Sequence, residues 1–106
     1  MPQTVTDADF KTEVLESSLP VLVDFFAPWC GPCRAMHPVM EALDSEYAGK
    51  VKIVKVNVDE QQQTAGEYGV MSIPTFIVFK NGQPTKTFMG AQPKETVKQV
   101  LDQVLA

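Results

Sequence analysis

Reactive and metal-binding residue types are scarce in this chain. Only two cysteines, one histidine and one tryptophan occur among 106 residues. Two cysteines three positions apart close too short a loop to staple a small fold. With a single histidine they also fall short of the four ligands of a closed structural zinc site, so a Cys30–Cys33–His37 metal set is the weaker alternative. Basic residues are outnumbered, nine to thirteen, giving a net charge of −4. That balance argues against nucleic acid or an anionic membrane surface as partner. No apolar run approaches the roughly 20 residues that span a bilayer. The N-terminal Met1-Pro-Gln-Thr-Val-Thr-Asp-Ala-Asp9 has no basic stretch followed by an apolar one. It is not expected to be a signal peptide, and the expected compartment is the cytoplasm, where thiols stay reduced. No internal repeat, linker or low-complexity segment divides the sequence, so one domain over residues 1–106 is expected. No cofactor and no metal are expected, and the expected state is a monomer.

What is present centres on Val21-Leu-Val-Asp-Phe-Phe-Ala-Pro-Trp-Cys-Gly-Pro-Cys33. It begins as an apolar, β-branched and aromatic run, the signature of a strand. A helical pattern follows, with Met36, Val39, Met40, Leu43 and Tyr47 recurring on one side. Pro32 suits a first helical turn, whereas Pro38 predicts a kink in a helix over about 32–47. Upstream, residues 3–5 suggest a short strand. Thr6, with Asp9 three residues on, suggests a capped helix carrying Phe10, Val14 and Leu15. Downstream, 51–58 is a second strand apolar on both faces. Asp59 suggests the cap of a short helix over 60–68 that Gly69 closes. Thr75-Phe-Ile-Val-Phe79 is a third long strand, and Asn81-Gly82 is a strong hairpin signal leading to a strand near 85–89. Val97, Val100, Leu101, Val104 and Leu105 form one face of a last helix. Strands alternating with helices up to a final hairpin predict a three-layer α/β domain with a mixed sheet.

The two cysteines therefore sit where a buried strand passes into a helix N-terminus. Free N–H groups and partial positive charge there favour a thiolate. Cys30 precedes the helix body and is expected to face solvent. Cys33 falls on the Met36–Met40–Leu43 stripe and is expected to be buried. One accessible and one buried thiol within a turn is an arrangement for disulfide exchange, with Cys30 attacking and Cys33 resolving the mixed disulfide. Asp24 interrupts an otherwise apolar strand. Its carboxyl is expected to be desolvated, with a raised pKa, and suited to moving a proton to and from Cys33. Lys55 interrupts the next strand in the same way and is a candidate charge partner, or else a lysine whose stem snorkels to water. Pro74 opens a central strand, where a proline is awkward; a cis Ile73–Pro74 bond in a tight turn would account for it. If that turn lies beside Cys30, the Ile73 backbone can pair with an extended substrate segment. His37 is expected on the helix flank, partly exposed.

With those residues in hand, the chain resembles the thioredoxin family. Trp29-Cys-Gly-Pro-Cys33 is identical to that family's active-site motif, and Asp24, Lys55, Ile73-Pro74-Thr75 and Gly90 fall where the family's buried aspartate, lysine, cis-proline loop and glycine stand. The likeness covers essentially the whole chain. It implies a thioredoxin fold, a central mixed five-stranded sheet flanked by four helices. It also implies a Cys30–Cys33 disulfide in the oxidised form, and a protein-disulfide reductase fed by a flavoprotein, NADPH-linked thioredoxin reductase. Disulfide-containing proteins would be its targets. An apolar docking surface around Cys30 would comprise Trp29, Gly31, Pro32, Val58, Ile73, Pro74, Met89, Gly90 and Ala91. Thioredoxins are themselves a standard example of a lowered thiol pKa and a reducing dithiol, so both are expectations taken from the resemblance. Two positions depart from the pattern: Phe26 where many members have a second tryptophan, and His37 where a small residue is common. A thiol oxidase or isomerase of the same fold, and a binding module with bystander thiols, are the competing readings.

Overall fold

The computed structural model describes residues 1–106. Its sheet is built around β2 (Val21–Phe26), in which all six residues are buried. A strand with both faces covered must lie inside a sheet with layers on either side. β3 (Lys52–Asn57) runs parallel to β2, with Val21 opposite Lys52 and Asp24 opposite Lys55. β1 (Gln3–Thr4) adds a short parallel edge outside β3 and is briefer than the sequence suggests. On the other side β4 (Thr75–Lys80) runs antiparallel to β2, and β5 (Gln83–Met89) closes that edge. The order is β1-β3-β2-β4-β5, a mixed five-stranded sheet.

α1 (Gly31–Glu46) and α3 (Lys94–Leu105) cover one face. Met36, Met40, Leu43, Val97, Leu101 and Val104 pack there against Leu22, Ile53, Phe76 and Val78. α1 runs unbroken through Pro38. The opposite face takes a π-helical segment, Lys11–Leu15, and α2 (Gln62–Glu67). Phe10 and Val14 meet Val21, Val23, Phe25, Ile77 and Phe79 on that side. The alternation of β2 thus sorts its residues between two cores, with Asp24 on the face beneath α1. Four helices flank the five strands, as expected.

Local signals account for most boundaries. Thr6 and Asp9 form a reciprocal box, the Thr6 N–H donating to Asp9 Oδ1 at 2.6 Å and the Asp9 N–H to Thr6 Oγ1 at 3.4 Å, but it closes the turn ahead of the helix: Lys11–Leu15 has Phe10 as its N-cap, with no side-chain cap bond. Asn81 and Gly82 both have positive φ, 53° and 78°, as the tight turn between β4 and β5 requires. Gly82 has a second reason to lack a side chain, because a Cβ there would sit 2.9 Å from the Leu15 carbonyl oxygen. Asp59 does not cap α2, which starts later than expected, after Gln61, with no side-chain cap. Asp7 Oδ1 instead accepts from the Thr64 N–H at 2.9 Å, tying the short helix to the N-terminal turn across 57 residues of sequence. No helix is long and apolar enough to cross a membrane.

Candidate active site

The register of the sheet decides what gathers around the cysteines. Phe26 lies opposite Asn57, Phe25 opposite Thr75, and Thr75 opposite Met89. The loop after β2, the loop after β3, the turn before β4 and the loop after β5 therefore emerge at one end of the sheet. Those four segments hold Trp29–Cys33, Val58, Ile73–Pro74 and Met89–Ala91. Val58 and Ile73 pack against a small cluster of Phe26, Ala27, Cys30 and Cys33. The Gly90 N–H donates to the Pro74 carbonyl at 2.8 Å, fastening the last two segments together. Gly90 does so with φ at 82°, a conformation that favours glycine.

Cys30 is the N-cap of α1, with φ −84° and ψ 118°. It is joined to Cys33 in a disulfide, with the two Cα atoms 5.2 Å apart. Its Sγ accepts the Cys33 N–H at 3.2 Å, so one of the orphan donors at the helix start is aimed at this sulfur. The same donor would stabilise a Cys30 thiolate once the bond is reduced. The loop before it is fixed by the Cys30 N–H donating to the Ala27 carbonyl and by Arg34 Nη1 donating to the Pro28 carbonyl, both at 3.2 Å. Cys33 is fully buried, as its place on the apolar stripe requires. Cys30 corrects the expectation of a solvent-facing residue: only 5% of it is exposed. Val58 and Ile73 pack against the small cluster that holds it.

The Ile73–Pro74 bond is cis. The Ile73 carbonyl oxygen lies 3.9 Å from Cys30 Sγ, so the turn does stand beside that sulfur. Ile73 makes none of the turn and loop backbone hydrogen bonds. Pro74 is itself buried, the neighbouring Ile73 is half-buried, and Gly31, Pro32 and Ala91 are exposed. The large apolar groups standing free at this end are Trp29, Met89 and Met71, which are 68%, 58% and 97% exposed. Met71 carries no periodic or motif signal and emerges only once the loop is folded. Asp59, expected as a helix cap, accepts the Trp29 indole N–H at 2.8 Å and so orients the ring.

Asp24 is fully buried and neither carboxylate oxygen has a hydrogen-bond partner. Burial pushes its pKa from 3.8 up to about 7, with the Lys55 charge pulling the other way. Lys55 stands in register with Asp24, on the same face of the sheet. It does not form an ion pair with it, however: its ammonium lies over the Phe26 ring, 4.7 Å from the centroid. The His37 ring meets Phe26 edge-on from α1, with centroids 5.9 Å apart. Burial, followed by the Lys55 charge, lowers the His37 pKa below its ordinary 6.5, and Glu41 opposes that. No three His, Cys, Asp or Glu side chains converge as a metal-holding group.

Comparison with known proteins places this geometry. The thioredoxin family model matches residues 1–103. Thioredoxin 1 of Synechococcus elongatus is 56% identical over 101 residues, covering 95% of this chain and 94% of that protein. A thioredoxin of Synechocystis sp. is 54% identical over 101 residues, with the same coverage of 95% and 94%. The chloroplastic M-type thioredoxin of Chlamydomonas reinhardtii is 54% identical over 101 residues, covering 95% of this chain and 72% of that protein.

Proposed function

The chain belongs to the thioredoxin family, and from that premise we propose that it is a reductant of protein disulfides in which Cys30 attacks and Cys33 resolves. It is a protein-disulfide oxidoreductase working by dithiol/disulfide exchange. The observation that carries the assignment of roles is the Cys30–Cys33 disulfide at the N-cap of α1, with the outer sulfur beside the Ile73 carbonyl and the inner one enclosed.

In the reduced protein the Cys30 thiolate, held by the Cys33 N–H and the helix start, attacks one sulfur of a target disulfide. A Cys30–target disulfide forms and the first target thiolate leaves, taking a proton from water. The Asp24 carboxylate then accepts the proton of the Cys33 thiol. The Cys33 thiolate attacks Cys30 Sγ, the Cys30–Cys33 bond forms and the second target thiolate departs. Two electrons have passed to the target. The buried position of Asp24 suits this task because its pKa of about 7 lets it both take and release a proton near neutrality. Lys55 supplies a nearby positive charge that keeps part of the Asp24 population ionised.

Target recognition is assigned to the rim of Trp29, Gly31, Pro32, Val58, Ile73, Met89, Gly90 and Ala91 around the buried Pro74. An extended target segment pairs with the Ile73 backbone and lays apolar side chains on Trp29 and Met89. That mode reads main chain and apolar bulk, so it tolerates varied target sequences. The reading further assigns regeneration to a flavoprotein thioredoxin reductase drawing on NADPH, with the protein acting as a cytoplasmic monomer. Insulin reduction in the presence of NADPH and such a reductase tests the whole scheme. Turnover that is lost on Cys30→Ser supports it, and turnover retained by that variant refutes it. A redox titration against glutathione separates a reductant from an oxidase or isomerase.

A further inference from the structure

The five methionines divide sharply by exposure. Met36 and Met40, 2% and 0% exposed, belong to the core beneath α1. Met1, Met71 and Met89 are 96%, 97% and 58% exposed. Met1 is held at the far end of α1 from the cysteines, where its amino group pairs with Asp44. Met71 and Met89 stand at the cysteine end of the sheet. The Ser72 hydroxyl donates to Met89 Sδ at 3.2 Å, and the Gly90 N–H donates to the Pro74 carbonyl at 2.8 Å, so the turn before β4 and the loop after β5 are joined there. Met71 directly precedes Ser72. Two residues of chain, at most about 7 Å, separate it from Ile73, whose carbonyl oxygen lies 3.9 Å from Cys30 Sγ. Apart from Met1, the large apolar side chains more than half exposed are Trp29, Met71 and Met89, all in these loops. Exposed apolar groups gathered in one place mark a surface that meets a partner.

We propose that Met71 and Met89 are a reversible modification site, at which peroxide turns both thioethers into sulfoxides and so weakens the docking of target proteins. The inference rests on the docking rim given above and extends that rim to Met71. A thioether is apolar and adaptable, which suits a surface that accepts varied target side chains. A sulfoxide is polar and chiral, and pressed against an apolar target it leaves a strong acceptor without a partner. In the modification, a methionine sulfur lone pair attacks one oxygen of hydrogen peroxide. The S–O bond forms, the O–O bond breaks, and the departing hydroxide takes the proton of the transferred oxygen and leaves as water. Sulfur has lost two electrons and peroxide has gained them. In the disulfide form neither cysteine is free to compete, so the exposed sulfurs open to peroxide are thioethers. Met71, all but clear of its own chain, reacts first. Met89 is less exposed and shares a lone pair with the Ser72 hydroxyl, so it follows. Neither side chain takes part in the thiol chemistry, so the loss falls on docking.

The test treats the disulfide form with hydrogen peroxide and maps the added oxygen by peptide mass. Met71 and Met89 should gain it while Met36 and Met40 stay unchanged. The protein is then reduced with dithiothreitol, which leaves sulfoxides in place, and freed of it. Its single-turnover rate with insulin is compared with that for a small disulfide, dithiobis(nitrobenzoate). Treatment should lower the insulin rate roughly 5- to 10-fold, the lower end of what a stranded polar group costs because the rim stays partly wet. The small disulfide should react within about twofold of the untreated rate, since it needs little docking. The two methionine sulfoxide reductases, one for each epimer, should restore the insulin rate. Met71→Leu/Met89→Leu, judged against its own untreated rate, should be insensitive to peroxide, whereas Met1→Leu should lose as much as the wild type. Met71→Gln/Met89→Gln, polar at the rim from the start, should be slow with insulin before any treatment. Oxygen reaching Met36 or Met40 as early as the rim methionines, or an equal loss with the small disulfide, overturns the inference. A slow glutamine variant beside a wild type that peroxide leaves unmoved overturns the modification and leaves the docking rim standing. Wild-type insulin rates in both the glutamine variant and Trp29→Ala overturn the rim and the inference with it.

Discussion

Asp24→Asn should leave the protein more stable but slower, and the size of the gain follows from its burial. The carboxyl is fully enclosed, has no hydrogen-bond partner, and titrates at about 7 instead of 3.8. Between those two pH values the unfolded chain has released the proton while the folded chain still holds it. The unfolded state therefore binds fewer protons, and stability falls as pH rises through that window, reaching its full loss above about pH 7. A rise of roughly three pH units, at about 1.4 kcal/mol each, makes the charged Asp24 cost roughly 4 kcal/mol at pH 8. Asparagine removes the charge but leaves a buried amide short of partners, which gives back roughly 1–3 kcal/mol. The net gain at pH 8 is then roughly 1–3 kcal/mol, or about 4–12 °C in Tm for a chain of this length. Near pH 4, where Asp24 is neutral in the folded state, the gain should vanish or reverse. Thermal melts of the oxidised wild type and variant from pH 4 to pH 9 measure this difference directly. A variant that melts below the wild type at pH 8, or a difference that does not change with pH, would refute the argument from desolvation. In the same variant the resolution step should slow, because no carboxylate receives the Cys33 proton.

Iodoacetamide at neutral pH should alkylate Cys30 of the reduced protein at least tenfold faster than Cys33, since the inner thiol is enclosed and the outer one is held by the helix start; peptide mass mapping after a short pulse gives the ratio, and equal rates would contradict the order of attack. Cys33→Ser should accumulate mixed disulfides with targets on non-reducing gels, because no intramolecular thiol remains to resolve them, whereas Cys30→Ser should accumulate none. Asp59→Ala should release the Trp29 indole, seen as a shift in tryptophan emission, and should raise the KM for insulin more than it lowers kcat. Leu101→Ala, which empties a fully buried site between α3 and the sheet, should cost roughly 2–5 kcal/mol in urea unfolding with little effect on the thiol chemistry of the folded protein.

Local sequence was enough for whatever depends on neighbours in the chain. The apolar run of β2 ending in Pro28-Trp29-Cys30 put both cysteines at a helix start, because strand propensity, proline and helical periodicity all act over a few residues. Asn81-Gly82 set the hairpin through positive φ, and the stripe from Val97 to Val104 set the face of α3. Burial of Asp24 was legible from its apolar surroundings, since no arrangement of a doubly covered strand leaves it in water. Folding decided whatever depends on register between distant segments. Lys55 does stand opposite Asp24, yet its ammonium goes to Phe26, a choice that rests on side-chain reach after the strands have paired. Asp59 looked like a helix cap because the local pattern fits one; the closeness of Trp29, thirty residues away, gave its carboxylate a better donor. Cys30 looked accessible because it precedes a helix, and became nearly enclosed when the loops after β3 and before β4 arrived at the same end of the sheet. His37 showed the same limit: its place on α1 was plain, but its unpaired Nε2 and a small cavity beside it exist only where α1, β3 and the N-terminal arm meet, which no short-range pattern encodes.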